Sequence, residues 1–157
     1  MHWWGKEGTK QTIIRTIPCV GVVILAVALA SDPAADEKSE IRKVLDKQVA
    51  AWNRGNLEAF MAGYWNSDDL TFYSGKDKRH GWNATLERYR QRYQGEGKEM
   101  GTLKFPELSV QPLGSDYALV RGRWELKLSK EDAGGLFTLI FQKTKDGWRI
   151  IHHHTSS

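Results

Sequence analysis

The sequence predicts an α+β fold, three helices packed on one face of an antiparallel sheet, and two observations carry that prediction. Helical periodicity runs only as far as Tyr93, and from Gly101 onward it gives way to four strand-like runs separated by turn residues. Length bounds the rest: 157 residues, the first thirty of which read as an address, leave one domain.

That address is the segment in which Lys10 and Arg15 precede an apolar run from Ile17 to Ala30. It is shorter than the roughly 20 residues of a membrane span and has the length of a signal-peptide core. Ala28-Leu29-Ala30 supplies a small-x-small cleavage pattern. The expected organisation is a signal peptide over 1–30, a linker over 31–39 and a domain over 40–157. Cleavage after Ala30 makes the protein periplasmic or extracellular, with no further membrane contact. Cys19 leaves with the signal, so the mature chain folds in an oxidising compartment on its core alone.

Charge excludes one class of partner. The whole chain carries 23 Lys and Arg against 19 Asp and Glu, but three of the basic residues and one acidic residue fall in the first thirty, so +4 becomes +2. Such a balance makes no case for nucleic acid. Arg88, Arg90 and Arg92 read as a solvated helix face.

After the linker, Ile41, Val44, Leu45, Gln48, Ala51 and Trp52 form one helical stripe, which Gly55 ends. Asn56 caps a second, shorter helix through Leu57, Phe60, Met61 and Tyr64. "DLTFYSG" alternates like a strand. A third helix over about Trp82 to Tyr93 buries Trp82, Leu86, Tyr89 and Tyr93. The later strands are "TLKFPELSVQPL", "YALVRGRWELKLS", "LFTLIFQKT" and "WRIIHHHTS", with Pro106 marking a bulge or an edge. Two-residue alternation turns Ala118, Val120, Gly122, Trp124, Leu126 and Leu128 inward and Arg121, Arg123, Glu125 and Lys127 outward. The same rule, applied to the last strand, puts His152 and His154 on the face of Trp148 and turns His153 away.

"VAAWNRGNLEAFMAGYW", "HGWNATLERYRQRY", "GGLFTLIFQK" and "DGWRIIHHHTS", in this order and spacing, resemble the SnoaL-like branch of the nuclear transport factor 2-like superfamily. The resemblance spans about residues 40 to 156. It implies a cone-shaped, cystatin-like fold, with a curved antiparallel sheet around the helices and an apolar pocket between them. It also implies a homodimer through the outer sheet face, which the Arg121, Arg123, Glu125 and Lys127 side would serve if it is not simply wet. The chain departs from the branch at His80, where an Arg usually precedes the Gly-Trp pair, and at His153, where an Asp usually separates the last histidines.

The resemblance implies two kinds of chemistry. The characterised enzymes of the superfamily, ketosteroid isomerase, polyketide cyclases and dehydratases, move a proton beside a carbonyl or open a ring. Here the inward positions offer no persuasive carboxylate, which leaves His152 or His154 as the candidate catalytic base. The second kind is binding without turnover, as in the calcium/calmodulin-dependent kinase II association domain, whose similar His-x-His ending accompanies a pocket for small anions; Arg79, His80, His152 and His154 are the expected donors. The candidate pocket wall for a small-molecule ligand is Trp52, Tyr64, Tyr73, His80, Trp82, Tyr89, Trp124 and Trp148. No metal and no cofactor is expected: His152 and His154 stand roughly 7 Å apart along one strand face, and the chain has no phosphate-cradling loop, dinucleotide fingerprint or nucleophile elbow.

Overall fold

Helix α1, Pro33–Trp52, buries Ile41, Leu45, Gln48, Ala51 and Trp52, the stripe that the spacing predicts. The computed structural model describes Met1 and residues 33–156. The chain divides into units Met1–Ala30 and Ser31–Ser157, and the predicted signal segment lies outside the described residues. The expected linker is replaced in the main by helix, since α1 already begins at Pro33, where a proline suits a first helical turn.

Gly55, at φ +74°, turns the chain out of α1, with its N–H donating to the Trp52 carbonyl. Asn56 then caps α2, Leu57–Met61, its Oδ1 accepting from the Ala59 N–H at 2.8 Å. Strands β1 (Thr71–Ser74) and β2 (Asp77–His80) form a hairpin, of which only the first strand was expected. Helix α3, Trp82–Tyr93, buries Thr85, Leu86 and Tyr89.

The remaining strands are β3 (Thr102–Pro112), β4 (Tyr117–Lys127), β5 (Ala133–Thr144) and β6 (Gly147–Thr155). They pair antiparallel in sequence, and the six-stranded sheet has the order β2-β1-β6-β5-β4-β3. One pairing departs from the antiparallel expectation: β1 runs parallel to β6, with Phe72 opposite His153. The bulge expected at Pro106 is present as a register shift between Lys104 and Glu107.

A second register shift, in β6, overturns the expected histidine faces. Phe141 pairs with Ile150, but Ile140 pairs with His152, so Ile151 is an extra residue on its strand. One extra residue reverses every side chain beyond it. His153 therefore shares the inner face with Trp148 and Ile150, while His152 and His154 lie opposite Ile140 and Thr138 on the outer face.

The core lies between the helices and the inner sheet face. Trp52 meets Phe60, Tyr89 and Tyr93 edge-on at centroid distances of 5.1, 5.8 and 4.8 Å, contacts worth about 0.5–1.5 kcal/mol each beyond their buried area. Asn53 ties the end of α1 to β3, accepting from the Leu103 N–H at 2.7 Å and donating to its carbonyl at 3.2 Å.

Candidate functional site

A cavity opens between the helices and the inner face of β1, β6, β5, β4 and β3. It leaves about 70 Å³ of space for water-sized molecules, several times the roughly 10–15 Å³ that one water needs. The wall is mostly apolar, with Phe72, Phe105, Phe137 and Leu139 on the sheet side and Trp52, Phe60 and Tyr89 on the helix side. Among the described residues, no carboxylate lines it.

Into that wall the β6 bulge turns His153. Its imidazole is packed among Phe72, Phe137 and Tyr64, with the Phe72 ring edge-on at 4.7 Å. Nδ1 lies 2.8 Å from Tyr64 Oη, which is in turn 3.3 Å from Tyr89 Oη. Burial, reinforced by the neighbouring Arg88 guanidinium, pushes the His153 pKa down from 6.5 to about 3. Burial likewise raises both phenols well above their ordinary value. Near neutral pH this chain of three side chains is thus uncharged. Direction along it is set by the tautomer: if Tyr64 donates to Nδ1, the imidazole carries its proton on Nε2.

Arginine enters the site from α3. Arg88 is mostly enclosed, with 11% of its side chain exposed; its Nε donates to Asp77 Oδ2 at 3.3 Å and its guanidinium lies over Phe72 at 4.6 Å. Arg92, one turn on, also lines the cavity, its Nε donating to Tyr93 Oη at 3.2 Å. The solvated face expected here is thus divided: Arg90 does point outward, to Glu58, while its neighbours on either side border the cavity.

Of the expected pocket residues, Trp52, Tyr64, Tyr89 and Trp124 line the cavity. Trp82 and Trp148 do not; their indole N–H groups hold the fold together, donating to the Met61 carbonyl at 3.0 Å and to Glu40 Oε2 at 3.1 Å. Tyr73 and His80 belong to the outer side of the β1–β2 hairpin, where Tyr73 packs edge-on against His152 at 5.2 Å and His154 at 6.4 Å. His152 and His154, the candidate bases, are separated from the cavity by the sheet. Thr71 Oγ1 sits 2.6 Å from His152 Nδ1, and partial burial with His154 nearby lowers the His152 pKa. Among the described residues, no three His, Cys, Asp or Glu side chains come together as metal ligands would.

A SnoaL-like domain model matches residues 41–157, from the middle of α1 to the end of the chain. The chain belongs to the SnoaL-like domain family. Solved structures similar to this SnoaL-like domain include a nuclear transport factor 2-like protein of unknown function from Shewanella oneidensis MR-1. The two are 38% identical over 76% of this chain and 98% of that one, with a TM-score of 0.72. A ketosteroid isomerase-like protein from Erwinia carotovora atroseptica SCRI1043 is 22% identical, over 77% of this chain and 95% of that one, at 0.59. A candidate calcium/calmodulin-dependent protein kinase type II association domain from Thiobacillus denitrificans ATCC 25259 is 21% identical, over 73% and 92%, at 0.61. The last two show the fold alone, and further similar structures are described as having a cystatin-like fold. No curated protein matches this chain.

Proposed function

We infer that this SnoaL-like protein is a small-molecule-binding domain whose ligand occupies the cavity beside His153. The observation that supports it most is the composition of that wall: aromatic and aliphatic carbon around a buried, uncharged hydrogen-bonding chain, Tyr89–Tyr64–His153, with Arg88 and Arg92 at its α3 side. A few polar groups converging on an apolar hole is what fixes the orientation of a small ligand. Trp52 and Trp124 stand on the wall, so a titration of intrinsic fluorescence with small apolar carbonyl compounds and acids tests the reading. Saturable quenching supports it, and no response across both classes contradicts it.

The enzymatic alternative, an isomerase, cyclase or dehydratase with a histidine base, has less behind it. The two histidines first considered lie across the sheet from the cavity. His153, which does border it, has a pKa near 3, too low for strong proton abstraction at neutral pH.

Two further expectations belong to the same proposal. Export is supported by the charged n-region, the apolar run and the small-x-small site before Ser31. N-terminal sequencing of protein from the cell envelope or medium tests it, with Ser31 the expected first residue. Homodimerisation is supported by the outer sheet face, where Leu136, opposite Arg123, is 54% exposed.

A further inference from the structure

The cavity has a charge asymmetry that an uncharged ligand leaves unused. Arg88 and Arg92 border it one helical turn apart on α3, and among the described residues no Asp or Glu lines it with them. The acid that pairs with Arg88, Asp77, takes only its Nε edge and is shared with Arg79, whose Nη2 lies 3.2 Å from Asp77 Oδ1. Arg92 makes no ion pair among the described residues; its one side-chain hydrogen bond is to Tyr93 Oη. Two guanidinium groups against an aromatic wall, with excess positive charge, form a donor set for a planar anion.

Hydroxyls accompany the arginines. Ser74 and Thr155 pair across β1 and β6 and both line the cavity, on the same inner face as His153. Thr155 Oγ1 donates to the Leu136 carbonyl at 3.2 Å, which leaves its lone pairs, while Ser74 is half-buried beside the arginine that Asp77 holds. Polar groups thus come from α3, β1 and β6, and the aromatic wall of Trp52, Phe105, Phe137 and Tyr93 receives whatever carbon the anion carries.

Resting on the small-molecule reading above, we propose that the ligand is a small apolar carboxylic acid, bound with its carboxylate at Arg88 and Arg92 and its hydrocarbon body against the aromatic wall. Arg92 is the specificity-determining group: it is exposed at one side, lies over the Tyr93 ring at 5.6 Å and donates only its Nε to Tyr93 Oη, so its charge has no carboxylate partner among the described residues. Asp77 positions Arg88 by fixing its Nε and leaving the Nη groups for the acid.

Calorimetric titration of the purified protein with phenylacetate, phenylacetamide and inorganic phosphate tests this. Phenylacetate is expected to bind at least about tenfold more tightly than the amide, because a charge-assisted hydrogen bond is lost in the latter, and phosphate, lacking a carbon body, is expected to bind weakly. Arg92→Gln, a change at an exposed position, is expected to bring the acid-to-amide ratio towards one. Equal binding of acid and amide overturns the proposal while leaving the cavity reading intact. So does an Arg92→Gln ratio equal to that of the wild type, or phosphate binding as tightly as phenylacetate. Failure of both organic probes to bind overturns it along with the cavity reading for ligands of this size.

Discussion

Tyr64 Oη lies 2.8 Å from Nδ1 of His153, across 89 residues of chain, and that bond joins α2's exit to the bulged half of β6 inside the cavity. Removing the phenol hydroxyl leaves a half-buried imidazole nitrogen and Tyr89 Oη each short of a partner. Tyr64→Phe is expected to cost about 1–3 kcal/mol, read as a lower denaturant midpoint at unchanged m-value.

The same histidine sets a pH dependence. In the unfolded chain an imidazole takes up its proton near 6.5, whereas in the folded protein His153 does so only near 3. Between those values the unfolded state binds more protons, so stability is complete above pH 6.5 and falls as pH drops toward 3. His152, also lowered, acts in the same sense. Thermal melts from pH 7 to pH 4 are expected to show a falling Tm, with a shallower slope in His153→Gln; an equal slope in the two proteins contradicts the assignment.

Gly122 stands on the inner face of β4 because nothing larger fits. A Cβ there comes within 2.5 Å of the Glu107 carbonyl oxygen and 2.6 Å of Phe137 Cζ. The first is backbone beside the β3 bulge and the second is a wall of the cavity, so neither yields cheaply. Gly122→Ala is expected to destabilise by about 1–3 kcal/mol and to weaken any ligand, measured by denaturation and by the fluorescence titration together.

The outer face gives a prediction that leaves the cavity untouched. Leu136→Asp places a charge at the exposed leucine of the outer face of β5, opposite Arg123. A dimer through this face is expected to fall to monomer mass by light scattering, with the far-ultraviolet circular dichroism unchanged; persistence of the dimer contradicts this choice of face.

The comparison of sequence with structure turns on two kinds of residue. Alternation and helical spacing locate what long-range packing does not disturb: the Ile41–Trp52 stripe, the inward row of β4, the Asn56 cap and the Pro106 irregularity all stand where their local pattern puts them. The histidine faces do not, because a bulge at Ile151 inserts a residue that no turn or proline signals. From strand periodicity alone His152 and His154 look inward and His153 outward, and one unpaired residue exchanges them. Arg88 and Arg92 were hidden differently. Their spacing of four beside Tyr89 and Tyr93 is the available signal, but charge argues for solvent unless a cavity is already known to lie there. Trp82 and Trp148 show the converse: their large rings are legible as buried, yet only the carbonyl and carboxylate meeting their N–H groups reveal that they brace the fold.

Native mass spectrometry of the protein, purified without a tag from the cells that make it, tests the central claim most directly. Folded protein carrying one small organic mass per protomer, released on unfolding and reduced in Tyr64→Phe, is the expected result. A bare polypeptide mass that stays bare after incubation with small apolar acids and carbonyl compounds would contradict it.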